Sequence, residues 1–390
     1  MTAFTYLIIP GSHWRMPISF VVAAIATYLL AFPVRHLGER LNLLDVPGRR
    51  SSHSTPTPRT GGVAIIFGIL IGVASVFKPS VPFLWAAGVG GLVAGISFID
   101  DMVNISAAPR MLVHILVASL TIGLIGLVPD GFGLPIYGSR IHLPEWLGFL
   151  LATMFVVGFV NAYNFMDGIN GLAASQGVWA GVTISIMLLF AGSGNSIYTA
   201  GALGGACLGF LPHNFPRAKM FMGDIGATVL GFGLAMLILI GASRSNISWI
   251  AFVLPVSLFI WDPLFTVIKR IAQGHNPMRP HREFHFHLLV RCGWSHDSVT
   301  RLQNVLMMVL AGLGFLYGWA HKITDDPFIP DQIRVGVLVF VFAGLVTYSI
   351  LVHWYFAQHR LDGPEASQDS CEPAPGERPG KTGRQSSTSS

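Results

Sequence analysis

About eleven apolar runs, each close to the length of a bilayer-crossing helix, leave this 390-residue chain little choice of fold. They lie near residues 17–35, 61–77, 81–99, 111–128, 145–164, 171–191, 197–211, 225–241, 247–268, 302–320 and 333–355. A bilayer offers no water to backbone N–H and C=O groups, so runs of this kind fold as helices that satisfy themselves. Composition agrees, with only 11% charged residues where a soluble domain carries about 25%. The expected fold is an all-α integral membrane protein with about 11 transmembrane helices and no interposed soluble domain. Residues 1–361 form the polytopic domain. From 362 to 390 Ser, Pro, Gly, Glu and Gln dominate, and a disordered tail is expected. The first run follows a short polar start holding only Arg15, with no small-residue cleavage site after it, and reads as a retained anchor. Cys207, Cys292 and Cys371 are too scattered for a disulfide framework.

Basic residues set the orientation, because cytoplasmic connections collect Lys and Arg. With the N-terminus outside, the inner segments hold Arg35, Arg40, Arg49, Arg50 and Arg59, then Arg110, then Arg217 and Lys219. They also hold Lys269, Arg270, Arg279, Arg282, Arg291 and Arg301, and finally Arg360, Arg378, Lys381 and Arg384. The outer segments keep only Arg15, Lys78, Arg140, Arg244, Lys322 and Arg334. The N-terminus is therefore expected outside and the C-terminus in the cytoplasm.

The acids and amides took no part in that count, yet they fall on the same inner face. Asp100 and Asp101 end the third run, and Asn161, Asn164, Asp167 and Asn170 gather at the end of the fifth. Asn214, Phe221 and Asp224 lie before the eighth run. The longest inner connection carries Arg282, Glu283, His281, His285 and His287.

Such a cluster suits phosphoryl transfer. Adjacent carboxylates such as Asp100 and Asp101 repel, which raises the pKa of one and lets it hold a proton. Oxygen donors such as Asn164, Asp167 and Asp224 suit Mg²⁺, which takes one or two protein ligands beside phosphate oxygens and water. Arginine clamps phosphate in bidentate fashion, and Asp224 opens a helix where N–H groups favour anions. Plainer readings exist. Asn161 and Asn164 also suit hydrogen bonding between membrane helices, and the histidines suit a loop or, with His281, a transition-metal site. Asp262, next to Pro263 inside the ninth run, is equally placed to cap or kink its helix and is left out of the site. His114 and His353 read as structural.

Taken together, these motifs resemble the polyprenyl-phosphate N-acetylhexosamine-1-phosphate transferases (glycosyltransferase family 4). This superfamily includes bacterial GlcNAc-1-phosphate transferases, the translocase of peptidoglycan synthesis and the eukaryotic dolichyl-phosphate enzyme. The resemblance covers about 17–355. It rests on Thr55-Pro-Thr-Pro-Arg59-Thr-Gly61-Gly62, on Asp100-Asp101 with Arg110 downstream, on Asn161 to Leu172, and on Phe221-Met-Gly223-Asp224-Ile-Gly226. It implies Mg²⁺, with Mn²⁺ as substitute, held by Asn164 and Asp224. It implies Asp100 or Asp101 deprotonating or positioning a lipid phosphate, with Asp167 beside them in the reacting site. Asp167, Asn214 and Phe221 would face the uridine side. Arg282, His285 and His287 would engage phosphate or sugar, with Arg59, Arg110, Asn161 and Asn170 completing the binding surface. The implied partners are a UDP-N-acetylhexosamine and undecaprenyl phosphate in a bacterial inner membrane. A homodimer is compatible, and no nucleic acid is expected.

Two positions depart from the pattern. Asn170 stands where many members carry Asp, although the eukaryotic branch also reads Gly-Ile-Asn-Gly-Leu. Bacterial members read Arg-x-His-Ile-His-His; aligned from Arg282, only His287 falls on a family histidine. The alternatives are a secondary transporter for an anionic solute, with polar groups at mid-bilayer, or an inactive relative acting as a scaffold.

Overall fold

The computed structural model describes residues 12–46, 55–76, 88, 91, 95, 107–133, 140–276, 281–320 and 328–360. The helices are α1 (Ser12–Arg40), α2 (Gly61–Ala74), α3 (Ala107–Ile125), α4 (Glu145–Met166), α5 (Leu172–Ala191), α6 (Ser196–Asn214) and α7 (Gly223–Arg244). They continue with α8 (Trp249–Val253), α9 (Ser257–Ala272), α10 (His285–Arg291), α11 (His296–Trp319) and α12 (Phe328–His359). Ten of the apolar runs correspond to this helical sequence. The third, 81–99, falls almost wholly outside the described residues, as do Asp100, Asp101 and the tail from 362. Among the described residues, eight helical segments are long and apolar enough to cross a membrane. The ninth run differs from one smooth span: it breaks into α8, a 3-10 turn (Leu254–Val256) and α9. Pro255 removes a donor and forces the change.

The helices form an inner and an outer shell. The most apolar windows of α5 and α7 are 72% and 78% buried, against 22% for α1 and 28% for α12. The outer helices therefore turn most of their apolar surface to lipid. Lipid tails are as apolar as leucine, so helices in a membrane are held by close backbone approach rather than by hydrophobic exclusion. Here α6 supplies that approach to α1 and α5: a Cβ on Gly205 or Gly209 would meet the α1 backbone at Phe20 or Ala24, and one on Gly181 would meet Gly204.

Among the described residues there are also two short antiparallel ribbons. β1 (Leu44–Asp45) pairs with β2 (Thr57–Pro58), bringing Asp45 opposite Thr57. β3 (Gly131–Gly133) pairs with β4 (Arg140–His142), joining α3 to α4.

Replacing Gly209 by Leu should separate α1 from α6 and cost about 1–3 kcal/mol, the range for overpacking a core. The same change at Gly312, where a Cβ has open space among the described residues, should leave the unfolding temperature in detergent unchanged. Equal melting of the two variants would contradict this account of the α1–α6 contact.

Candidate active site

One cavity of about 320 Å³ opens at the end of the bundle where α1, α4, α6 and α9 hand over to their following segments. Its wall is made of Asp45, Arg59, Asn164, Asp167, Gly168, Ile169, Asn170, Asn214, Phe221, Gly223, Asp224, Arg282 and His287. These residues come from four connections far apart in sequence, all at one end of the helices.

Two of the connections that line the cavity meet in a backbone junction. Phe221 N–H donates to Pro58 C=O at 2.8 Å, Gly61 N–H to Phe221 C=O at 2.9 Å and Gly62 N–H to Met222 C=O at 2.8 Å. The Thr55–Gly62 motif thus docks directly on the segment that carries Asp224. The two glycines permit it: a Cβ at Gly61 would lie 2.6 Å from Phe221 C=O, and one at Gly62 would strike the Gly226 backbone. Gly223, at φ +73, turns the chain into α7 and leaves Asp224 in the first helical turn.

Asn164 and Asp167 end α4, with Asp167 as its C-terminal cap residue. The tight turn to α5 ends at Gly171, whose φ of +77 is a conformation glycine adopts without strain. Asn214, buried, clasps this turn: its Oδ1 accepts from Gly171 N–H at 2.6 Å and its Nδ2 donates to Met220 C=O at 2.9 Å. Both ends of that amide are engaged within the protein, so Asn214 lines the cavity as a strut between two motifs. Asn170 Nδ2 donates to Pro216 C=O at 3.1 Å, and Thr300 Oγ1 donates to Asn170 C=O at 2.8 Å.

Arg282 and His287 reach the cavity wall from the segment after α9. Arg282 Nε and His287 Nδ1 are buried with no hydrogen-bond partner among the described residues. Buried polar atoms are normally satisfied, so two such groups on a cavity wall point to a polar ligand. Loss of water, then the neighbouring Arg282, His281 and Arg291, push the His287 pKa down from 6.5 to about 3. His281 is lowered too, chiefly by burial and then by Arg270.

Not every expected site residue reaches the cavity. Asn161 lies nearly one turn back in α4, donating to Val157 C=O at 2.7 Å and touching Met111 Sδ at 3.7 Å. Arg110 pairs with Asp224 at 3.4 Å and so sits behind the acid rather than on the cavity wall. His285 corrects the expectation most clearly. It is fully buried and turned toward α9, with Nδ1 2.6 Å from Asp262 Oδ1. Among the described residues no three His, Cys, Asp or Glu side chains come together to hold a metal. Two residues were missed. Asp45 carries no helical signal and reaches the cavity only because β1 pairs with β2. Asp262, set aside as a cap or kink, is bound to the histidine segment.

Comparisons with known proteins place this geometry. The signature of glycosyl transferase family 4 matches residues 82–242. The decaprenyl-phosphate N-acetylglucosaminephosphotransferase of Mycobacterium tuberculosis (strain H37Rv) is 32% identical over 361 residues, covering 84% of this chain and 87% of that protein. A probable undecaprenyl-phosphate N-acetylglucosaminyl 1-phosphate transferase of Bacillus subtilis is 30% identical over 305 residues, covering 77% of this chain and 83% of that protein. The undecaprenyl-phosphate alpha-N-acetylglucosaminyl 1-phosphate transferase of Escherichia coli (strain K12) is 25% identical over 342 residues, covering 85% and 90%. A helical membrane protein with a polar, phosphate-suited cavity at one end is the class that fold and site define. Within it, the chain belongs to glycosyl transferase family 4, as a polyprenyl-phosphate N-acetylhexosamine-1-phosphate transferase.

The low pKa of His287 has a testable sign. The unfolded chain takes up the proton near 6.5 and the folded chain only near 3, so stability falls as pH drops through that window. Replacing His287 by Asn should flatten the loss of unfolding temperature between those limits and change little above neutral pH. Because His281 shifts the same way, some slope should remain; an unchanged slope in the His287 variant would refute the assignment.

Proposed function

We propose that this transferase moves HexNAc-1-phosphate, GlcNAc-1-phosphate first among the donors, from UDP-HexNAc to undecaprenyl phosphate, releasing UMP. The step would prime a cell-surface polysaccharide such as O-antigen. The observation that carries the reading is one cavity wall that holds both acidic, oxygen-rich groups and basic ones. Asp45, Asn164, Asp167 and Asp224 supply the oxygens, Arg59 and Arg282 the positive charge, and neutral His287 lines the same wall. A diphosphate with a divalent cation is the ligand such a wall suits.

The donor set fits Mg²⁺ rather than a metal that demands a full protein cage. The candidate ligands Asp45, Asn164, Asp167 and Asp224 offer carboxylate or amide oxygens, and no group of three His, Cys, Asp or Glu forms among the described residues. Asn164 and Asp224 would hold the cation, with diphosphate oxygens and water filling the other positions. When bound, Mg²⁺ neutralises charge that develops on the bridging oxygens.

The chain's own groups do the rest. Arg282 presents its guanidinium to phosphate oxygens, and neutral His287 is free to donate or accept a hydrogen bond beside it. Asp167 faces the nucleotide, with Phe221 offering a ring on the same wall. Asn214 acts through the turn it clasps. Asp100 or Asp101 would deprotonate or position the lipid phosphate, whose oxygen attacks the β-phosphorus of the donor in line. The bond to the UMP oxygen breaks, and polyprenyl diphosphate HexNAc and UMP are the products. A bacterial inner-membrane location, with N-terminus periplasmic and the cavity cytoplasmic, suits a soluble nucleotide-sugar and a membrane-borne acceptor. The Lys and Arg bias supports it.

Purified protein with radiolabelled UDP-GlcNAc, undecaprenyl phosphate and Mg²⁺ should release UMP only when the lipid is present. Asp224→Ala and Asn164→Ala should each lower kcat about 100-fold or more, the scale for removing one group that stabilises transferring charge. Chelation should abolish turnover, and Mg²⁺ should restore it. No UMP release with any UDP-HexNAc in the presence of acceptor would end this reading.

A further inference from the structure

The part of the cavity wall made by Arg282 and His287 hangs from a carboxylate buried among the helices. Asp262 lies in α9 with no exposed surface. Both of its oxygens accept from His285 N–H, each at 3.0 Å, and Thr266 Oγ1 donates to Oδ1 at 3.3 Å. The His285 ring also approaches closely, with Nδ1 2.6 Å from Oδ1 but off the line of a good hydrogen bond.

These contacts matter because α10 cannot hold itself. It has seven residues, and Phe284 at its start supplies no side-chain cap. Helices this short are marginal without tertiary support. Asp262 provides from α9 what a cap side chain would provide locally. Two residues earlier, Glu283 pairs with Arg270 of α9 and lies 3.8 Å from Lys269. The His285 ring is wedged among Phe265, Tyr348 and His353, with ring centres 5.2–5.3 Å apart. Residues 283 and 285 are thus fixed to α9, while Arg282 and His287 line the cavity. A buried carboxylate is costly unless paired, and this one is paired with the segment that carries Arg282 and His287.

We propose that the Asp262–His285 pair is a positioning element for the transfer reaction, holding Arg282 and His287 at the donor-phosphate end of the cavity. The proposal rests on the donor-phosphate role given to those two residues above. Asp262 acts through them and does not touch substrate.

The test varies UDP-GlcNAc and undecaprenyl phosphate separately on the full-length protein in detergent, with hydrogen–deuterium exchange read in parallel. Asp262→Asn keeps the size and one acceptor oxygen but loses the charge. It should raise the KM for UDP-GlcNAc about tenfold, leave the KM for the lipid within about twofold, and speed exchange across 281–291 but not in α5 or α7. In an Arg282→Ala background the same change should add less than about twofold, since residues acting as a unit are not additive. Equal losses for both substrates, or a full multiplicative loss in the Arg282→Ala background, would mean a merely structural role and overturn the proposal. If Arg282→Ala leaves the donor KM unchanged, the donor-phosphate reading falls and the proposal with it; the exchange data then show separately whether the pair holds the segment. Should Asp262→Asn fail to fold, Glu283→Gln loosens the same segment from its other tether and should give the same donor-selective pattern. An effect of Glu283→Gln on the lipid KM alone would also overturn it.

Discussion

Three backbone hydrogen bonds between residues 58–62 and 221–222 are the constraint on which the site depends. They join two connections that lie some 160 residues apart and fix Arg59 and Asp224 relative to one another. Side chains at this junction would keep the strands apart, so Gly61 and Gly62 are demanded by contact rather than by turn geometry. Asn214 extends the junction to the turn after α4 by spending both ends of its amide on backbone groups. The cavity is therefore a meeting of loops whose mutual positions are set largely by main-chain bonds.

The bilayer explains why so much polarity is tolerated behind that cavity. A buried polar group in hydrocarbon costs free energy unless it is paired, and here the pairs run in a chain. Thr300 holds Asn170, Asn304 bridges Ser175 and Trp179, and Gln303 donates to Tyr348. Tyr348 borders the His285 ring. The chain of contacts passes through α5, α11, α12 and α10, so the turn after α4 and the histidine segment share one support.

Motif residues that are close in sequence were legible because their spacing is local. Asn164, Asp167, Asn170, Phe221 and Asp224 were expected together and all line the cavity. The histidine segment was harder. His285 and His287 look equivalent in a string, yet an extended residue at Phe284 and the pull of Asp262 send them to opposite sides. Asp45 was unreadable because a two-residue ribbon leaves no periodic trace. Asn214 was seen, but not that its amide would be fully engaged.

The sequence by itself determined the membrane embedding, the helical fold and the oxygen-rich character of the site. Length, apolarity and charge bias act residue by residue, and no partner is needed to read them. Only the tertiary structure decided which polar groups face the cavity and which hold it up. That choice depends on pairings between residues tens or hundreds of positions apart, such as Asp262 with His285, or Gly62 with Met222. A local pattern carries no record of them.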